Sequence, residues 1–316
     1  MGMTANQLSL VRYVAENNLS KMKQAAIACC AEDTTQKNKW AVGKYKSILM
    51  SGGMNLIELP ANISAFATME DLSLTYIGNR YYLTSDEERL FELIKKMNDV
   101  SLQLMEKQIP YLNATLLYGE SGVGKTEFSK YVAYKLGLPY LYVNFSRMLD
   151  SYLGGTAKNL TYLFNYINQQ QCVVMLDEID SLAVKREYGS GSASAEVSRS
   201  TTCLLQLLDS VSNDHVILAA TNLVEDVDNA VKRRFTQKHE LHKLSSEDNE
   251  RFIVQYLEDT GFEYDMDSVK DYAKSNVTQA EIMTHITRAI ASMLIEESSQ
   301  VILELSLIHI SEPTRH

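Results

Sequence analysis

Cysteine is scarce in this chain. Four residues, Cys29, Cys30, Cys172 and Cys203, fall among 316 with no ligand spacing and no histidine cluster beside them. That argues against a disulfide framework or a zinc site and fits a reducing cytosol. Long hydrophobic runs are missing too. No apolar stretch approaches the ~18–20 residues of a membrane span, and the N-terminus lacks the core of a secretion signal. Positive charge is in deficit, with 30 Lys+Arg against 40 Asp+Glu and a net charge of −10. A general binder of the nucleic-acid backbone is therefore disfavoured, although a local basic groove stays open. What is present suits a folded protein: 45% hydrophobic and 22% charged residues, in a length that suggests roughly two domains. A soluble, intracellular protein with no membrane partner is the expectation.

The first stretch, from Gln7 to about Leu49, carries apolar residues at helical spacing (Leu8, Val11, Val14, then Leu19, Met22, Ala26, Cys29). Gly52-Gly53 and Pro60 then break the pattern, and the segment TYIGNRYYL offers a modest hairpin signal at Gly78-Asn79. Thr84-Ser85 supplies an N-cap before an acidic helix start. From Ala114 onward, short apolar runs alternate with helical stretches: ATLLYG, LYVNF, CVVMLDE, HVILAATN and, as a last strand, KHELHKL. That alternation predicts a parallel sheet with helices on both faces. Three helical stretches follow, SSEDNERFIVQYLEDTG, DSVKDYAKS and QAEIMTHITRAIASMLIEES. GSGSASAE, from Gly189 to Glu196, reads as a mobile loop. The last stretch, Leu305 to His316, reads LSLIHISEPTRH; it looks like translated sequencing adapter and is left out of the fold argument, so the natural end beyond Glu304 is unread.

The strongest chemical signal is GESGVGKT: Gly119, Glu120, Ser121, Gly122, Val123, Gly124, Lys125 and Thr126. Glycines let consecutive backbone N–H groups face phosphate oxygens, and the following helix dipole favours their negative charge. Lys125 can reach the β- and γ-phosphates of ATP, and the Thr126 hydroxyl can ligate Mg²⁺. The motif follows a strand and opens a helix, the context it requires. Farther on, VVMLDEID ends an apolar strand in Asp177 and Glu178. Carboxylates there lie at the sheet edge where open α/β sheets bind ligands. Asp177 suits Mg²⁺, directly or through water, and Glu178 suits the orientation of an attacking water.

Five ordered pieces, GESGVGKT, SYLGGTAKNLTYLF, VVMLDEIDSLAVKR, RSTTCLLQLLDSV and ILAATNLVEDVDNAVKRRF, resemble the AAA subgroup of AAA+ ATPases from about residue 84 to 290. The resemblance implies an α/β P-loop NTPase fold: a parallel five-stranded sheet flanked by helices, then a small α-helical lid, here behind a mainly helical N-terminal region. The implied boundaries are 1–83, 84–243 and 244–304, with 305–316 as tail. It also implies assembly with itself, as a homo-hexameric ring with ATP between subunits. Asn222 takes the sensor-1 position near the γ-phosphate, where an Asn otherwise caps the next element. Arg233 and Arg234 take the place of arginine fingers reaching a neighbour's site, a KRR run being otherwise a solvated basic pair. Tyr152, Leu153 and Gly154 correspond to the pore loop that grips polypeptide, and GSGSASAE falls where a second pore loop is expected.

Departures from the family pattern are local. Glu120-Ser121 replace two prolines, Ala280 stands where other AAA+ branches carry an arginine, and TQK follows KRRF, leaving Lys238 as a poor finger. Three activities stay open: a protein-remodelling motor, a nucleic-acid-associated accessory ATPase of replication or transposition, and an ATP-gated assembly switch.

Overall fold

The computed structural model describes residues 2–15, 19–33, 35, 42–43, 46, 49, 59–73, 75–150, 155–169, 171–183, 192–211 and 214–303. The pore-loop triplet Tyr152, Leu153 and Gly154, the first three residues of GSGSASAE and the terminal tail lie outside them.

Six strands form one sheet: β1 (Ala67–Glu70), β2 (Asn113–Tyr118), β3 (Tyr140–Asn144), β4 (Val173–Asp177), β5 (Val216–Thr221) and β6 (Gln237–Glu240). Their spatial order is β1-β3-β4-β5-β2-β6. β2 to β6 run parallel and are the five strands expected. The sixth, β1, pairs antiparallel with β3 at the edge and was not expected. Its sequence, ATME, is too short and too little β-branched to announce a strand; only its partner β3 supplies the reason for extension. The region before residue 84 is thus part of the sheet's architecture and not helical throughout: Ile63 and Phe66 belong to the same core as Ala67.

Strand side chains alternate between two cores, which explains why these strands read as unbroken apolar runs. Val174 and Leu176 of β4, with Ile217 and Ala219 of β5, pack on one face against Leu160, Leu163 and Phe164. Val173, Met175, Val216 and Leu218 pack on the other against Phe91, Ile94, Phe128 and Val132. Leu116 of β2 is fully buried, and trimming such a residue to alanine costs roughly 2–5 kcal/mol.

The helices flanking the site follow their capping chemistry. Helix Ser85–Asp99 starts in a complete capping box, with Thr84 and Glu87 satisfying each other's backbone N–H groups. Helix Lys125–Leu136 opens at Gly124 and stops at Gly137, whose φ is 65°. The last three helices, Ser246–Thr260, Met266–Ala273 and Gln279–Ile295, build a third core around Phe252, Ile253, Tyr272, Ile282 and Ile286.

Two local expectations are corrected. Gly78-Asn79 turns no hairpin; Gly78–Arg80 form a 3-10 turn. A Cβ on Gly78 would come within 2.5 Å of the Tyr134 ring, so this glycine allows close packing and not a strand reversal. GSGSASAE is not a loop throughout, because a helix runs from Ser192 to Leu208. Past the glycines, SASAE holds no breaker, and alanine and glutamate favour helix.

At the N-terminus, helices Ala5–Ala15 and Leu19–Glu32 pair with each other. Leu8, Val11 and Val14 stay exposed on the first of them.

Candidate functional site

Three neighbouring strands, β4, β5 and β2, end side by side at the carboxyl edge of the sheet. Tyr118 and Thr221 are register partners, so the phosphate-loop sequence and Asn222 leave the sheet together. The loop must then pass β6. A Cβ on Gly119 would lie 2.2 Å from the Leu241 carbonyl oxygen, and its φ is 138°, so only glycine fits.

Lys125 is buried, and its ammonium donates to the carbonyls of Gly119 at 2.8 Å and Glu120 at 2.7 Å. Burial pushes its pKa below the ordinary lysine value, against the pull of the Asp177 and Asp180 charges. The Ser129 hydroxyl donates to the Thr126 carbonyl at 2.6 Å and meets the buried Tyr140 hydroxyl at 2.7 Å, anchoring the helix that carries both motif residues.

Asp177 closes β4. Its Oδ2 accepts the Tyr142 hydroxyl at 2.9 Å, and its Oδ1 accepts the Glu178 backbone N–H at 2.9 Å. Burial raises the Asp177 pKa, while those two hydrogen bonds hold it down and the Glu178 charge adds to the rise. Glu178 itself sits in left-handed backbone, φ 56° and ψ 45°, an unusual state for a non-glycine residue that turns the chain sharply out of the strand. On β5, the Thr221 hydroxyl donates to Asp180 Oδ1 at 2.6 Å and accepts the Leu223 N–H at 2.9 Å, bracketing Asn222.

A cleft of about 790 Å³ gathers these parts, and its walls include Ser121 to Thr126, Asp177, Glu178 and Asn222. The volume lies within the range of small-molecule sites. Its far wall is Tyr76, Ile77 and Tyr81 on one side, with Gln279, Ala280 and Met283 of the last long helix on the other. The Ala280 N–H donates to the Gly122 carbonyl at 3.0 Å, and the Gln279 amide donates to the His242 carbonyl at 3.1 Å. Gly122 leaves room for this contact, since a Cβ there would sit 2.9 Å from Thr278 Oγ1.

The donor set fits a Mg²⁺-triphosphate. A buried cation faces the cleft with only carbonyls for partners, beside loop N–H groups at a helix start. Among the described residues no cluster of three His, Cys, Asp or Glu side chains makes a ready metal site. Thr126 and Asp177 therefore offer two oxygens, and Mg²⁺ habitually takes one or two protein oxygens and completes its shell with water and phosphate.

Residues 115–243 match the family model described as ATPase family associated with various cellular activities (AAA). The chain carries an AAA ATPase domain. An uncharacterized AAA family ATPase, y4kL, of Sinorhizobium fredii is 33% identical over 186 residues, 59% of this chain and 56% of that protein. The peroxisomal ATPase PEX6 of Dictyostelium discoideum is 34% identical over 147 residues, 45% of this chain and 12% of that protein. A probable 26S proteasome regulatory subunit 10B of Caenorhabditis elegans is 34% identical over 167 residues, 49% of this chain and 40% of that protein. The chain thus spans about half the length of the rhizobial relative, and less of the other two.

The AAA domain's arginine pair is not in the cleft. Arg234 is forked onto Asp209, and Arg233 next to it is exposed. Sequence reasoning missed Tyr142, Asp180, Thr221 and the tyrosine-rich far wall. One signal was available for the first of these. Tyr140 and Tyr142 alternate along a strand, so both face the helix that follows the phosphate loop.

Proposed function

We propose that the chain binds ATP with Mg²⁺, hydrolyses it, and works as a ring of identical copies that remodels protein substrates. The observation that carries the ATPase half is the convergence of Lys125, Thr126, Asp177, Glu178 and Asn222 on one cleft. Mg²⁺, when bound, neutralises phosphate charge and polarises the terminal phosphoryl group. Lys125 holds the phosphates through its fixed charge, with the loop N–H groups beside it. Thr126 and Asp177 hold the metal. Glu178 orients the attacking water as general base, and Asn222, bracketed by the Thr221 bonds, fixes that water's second side.

Arg233 is exposed; its backbone N–H closes the preceding helix on Asn229, but its guanidinium has no hydrogen-bond or ion-pair partner among the described residues, so it is the arginine available to a neighbouring copy's site. The motor half rests on the resemblance of Tyr152, Leu153 and Gly154 to a pore loop and on the names of the relatives, which include an ATP-dependent zinc metalloprotease, FtsH 2, and an outer mitochondrial transmembrane helix translocase. No described helix is long and apolar enough to cross a membrane.

The test is steady-state ATP hydrolysis by the full chain, concentrated enough to assemble, with an unfolded polypeptide and with single-stranded DNA. Stimulation by polypeptide alone supports the motor, and Tyr152→Ala should abolish that stimulation. Stimulation by DNA moves the protein to the accessory-ATPase reading. A slow rate indifferent to both polymers leaves the assembly switch.

A further inference from the structure

β3 and β4 are parallel neighbours in which Tyr142 pairs with Met175, and Asn144 with Asp177. Strand side chains repeat every second residue, so Tyr142 and Asp177 lie on the same face, Asp177 one step nearer the cleft. The Tyr142 hydroxyl reaches across that step to Asp177 Oδ2 at 2.9 Å. The Glu178 backbone holds Oδ1 at 2.9 Å. The terminal torsion of an aspartate is intrinsically broad. Two donors, one on each oxygen, fix the plane of this carboxylate and so decide which lone pairs face the cleft. Tyr142 is the one side chain among the described residues that hydrogen-bonds Asp177. Packing alone does not need its hydroxyl, since the ring lies half-buried against the same apolar core as Tyr140, and phenylalanine would fill that space equally.

We propose that Tyr142 is a positioning residue for the metal-holding carboxylate of Asp177, and that its hydroxyl sets how tightly the nucleotide site takes up Mg²⁺. The proposal rests on the ATPase reading above. Mg²⁺ tolerates little departure from octahedral geometry, so a carboxylate free to rotate is a poorer ligand than one held in plane. Partners that orient a metal ligand typically change metal affinity by 10- to 100-fold when removed.

The experiment measures binding of a fluorescent ATP analogue to the full chain while MgCl₂ is titrated, for wild type and Tyr142→Phe. The half-saturating Mg²⁺ concentration should rise roughly tenfold. Analogue affinity in EDTA and the melting temperature should change little. In an Asp177→Asn background, Tyr142→Phe should add nothing further, because the carboxylate it orients is gone. An unmoved Mg²⁺ midpoint overturns the proposal. So does an equal loss of affinity with and without Mg²⁺, the mark of a packing role. A wild-type chain that binds the analogue without any Mg²⁺ dependence would bring down the ATPase reading as well. A wild-type Mg²⁺ dependence that survives in Tyr142→Phe removes the role of Tyr142 alone.

Discussion

Arg234 grips Asp209 fork to fork: Nε meets Oδ1 and Nη2 meets Oδ2, each at 2.9 Å. Asp209 lies just beyond the helix Ser192–Leu208, so the pair fastens that helix to the turn after Asn229–Lys232. Arg233 beside it is exposed. The two arginines should therefore separate by experiment. Arg233→Ala should leave melting temperature and ATP affinity near wild type and reduce turnover about a thousandfold, the lower end of what a trans arginine contributes. Arg234→Ala should lower stability by about 0.5–1 kcal/mol, as expected for a partly exposed pair, with a smaller loss of turnover. A larger turnover loss in Arg234→Ala reverses the assignment.

Lys125 and Glu178 should fail differently. Lys125→Ala removes the buried cation of the loop, and equilibrium binding of ATP should vanish within the accessible concentration range. Glu178→Gln keeps the shape of the turn and loses only the base. ATP should still bind, hydrolysis should fall by at least about a hundredfold, and assemblies trapped by uncleaved ATP should accumulate on size exclusion. Retained ATP affinity in Lys125→Ala would mean that the phosphates sit elsewhere.

Gly119 tests the close approach of the loop to β6. Gly119→Ala meets the backbone oxygen of Leu241 in a conformation alanine avoids, and should destabilise the chain by about 2 kcal/mol or more. Gly122→Ala, also at positive φ (83°), meets the Thr278 hydroxyl of the capping box at 2.9 Å, a less severe approach than 2.2 Å to a backbone oxygen, and the loss in urea midpoint should be smaller. Equal midpoints for the two variants would show that the loop relaxes away from Leu241.

His215 should make stability fall in mild acid. It is buried, and neither ring nitrogen has a hydrogen-bond partner. Burial lowers its pKa below the ordinary 6.5, although the neighbouring Asp214 charge opposes the shift. The folded chain keeps His215 neutral while the unfolded chain takes a proton, so stability drops as pH falls through 6.5 toward the folded value. His239 and His285, also lowered chiefly by burial, act in the same direction. Urea midpoints between pH 7.5 and 5.5, about one unit either side of 6.5, should converge toward a flatter profile in His215→Leu; an unchanged slope would remove His215 from the acid response.

The phosphate loop, the five parallel strands and the final three helices were all legible, for physical reasons. A loop that wraps phosphate needs glycine and lysine at fixed spacing, and a doubly covered strand needs an unbroken apolar run. Thr278 with Glu281, and Ser245 with Asp248, announce helix starts within four residues of sequence. β1 was illegible because its extension is imposed by β3, more than sixty residues away. The Gly78 turn was misread because glycine serves two purposes, and which applies depends on Tyr134. The difference between Arg233 and Arg234 depends on Asp209, 25 residues earlier in the chain. The Tyr142 bond depends on strand register, which no local pattern states.

The hydrogen bond from Ala280 to Gly122 also ties the first turn of the last long helix to the phosphate loop, so a shift of that loop would be passed to the helix. The helix has 17 residues, Gln279 to Ile295. At about 1.5 Å per residue it is about 25 Å long, so a tilt of about 10° at its start would swing the far end by about 4 Å. Leu294 and Ile295, exposed at the far end, would be the residues carried farthest.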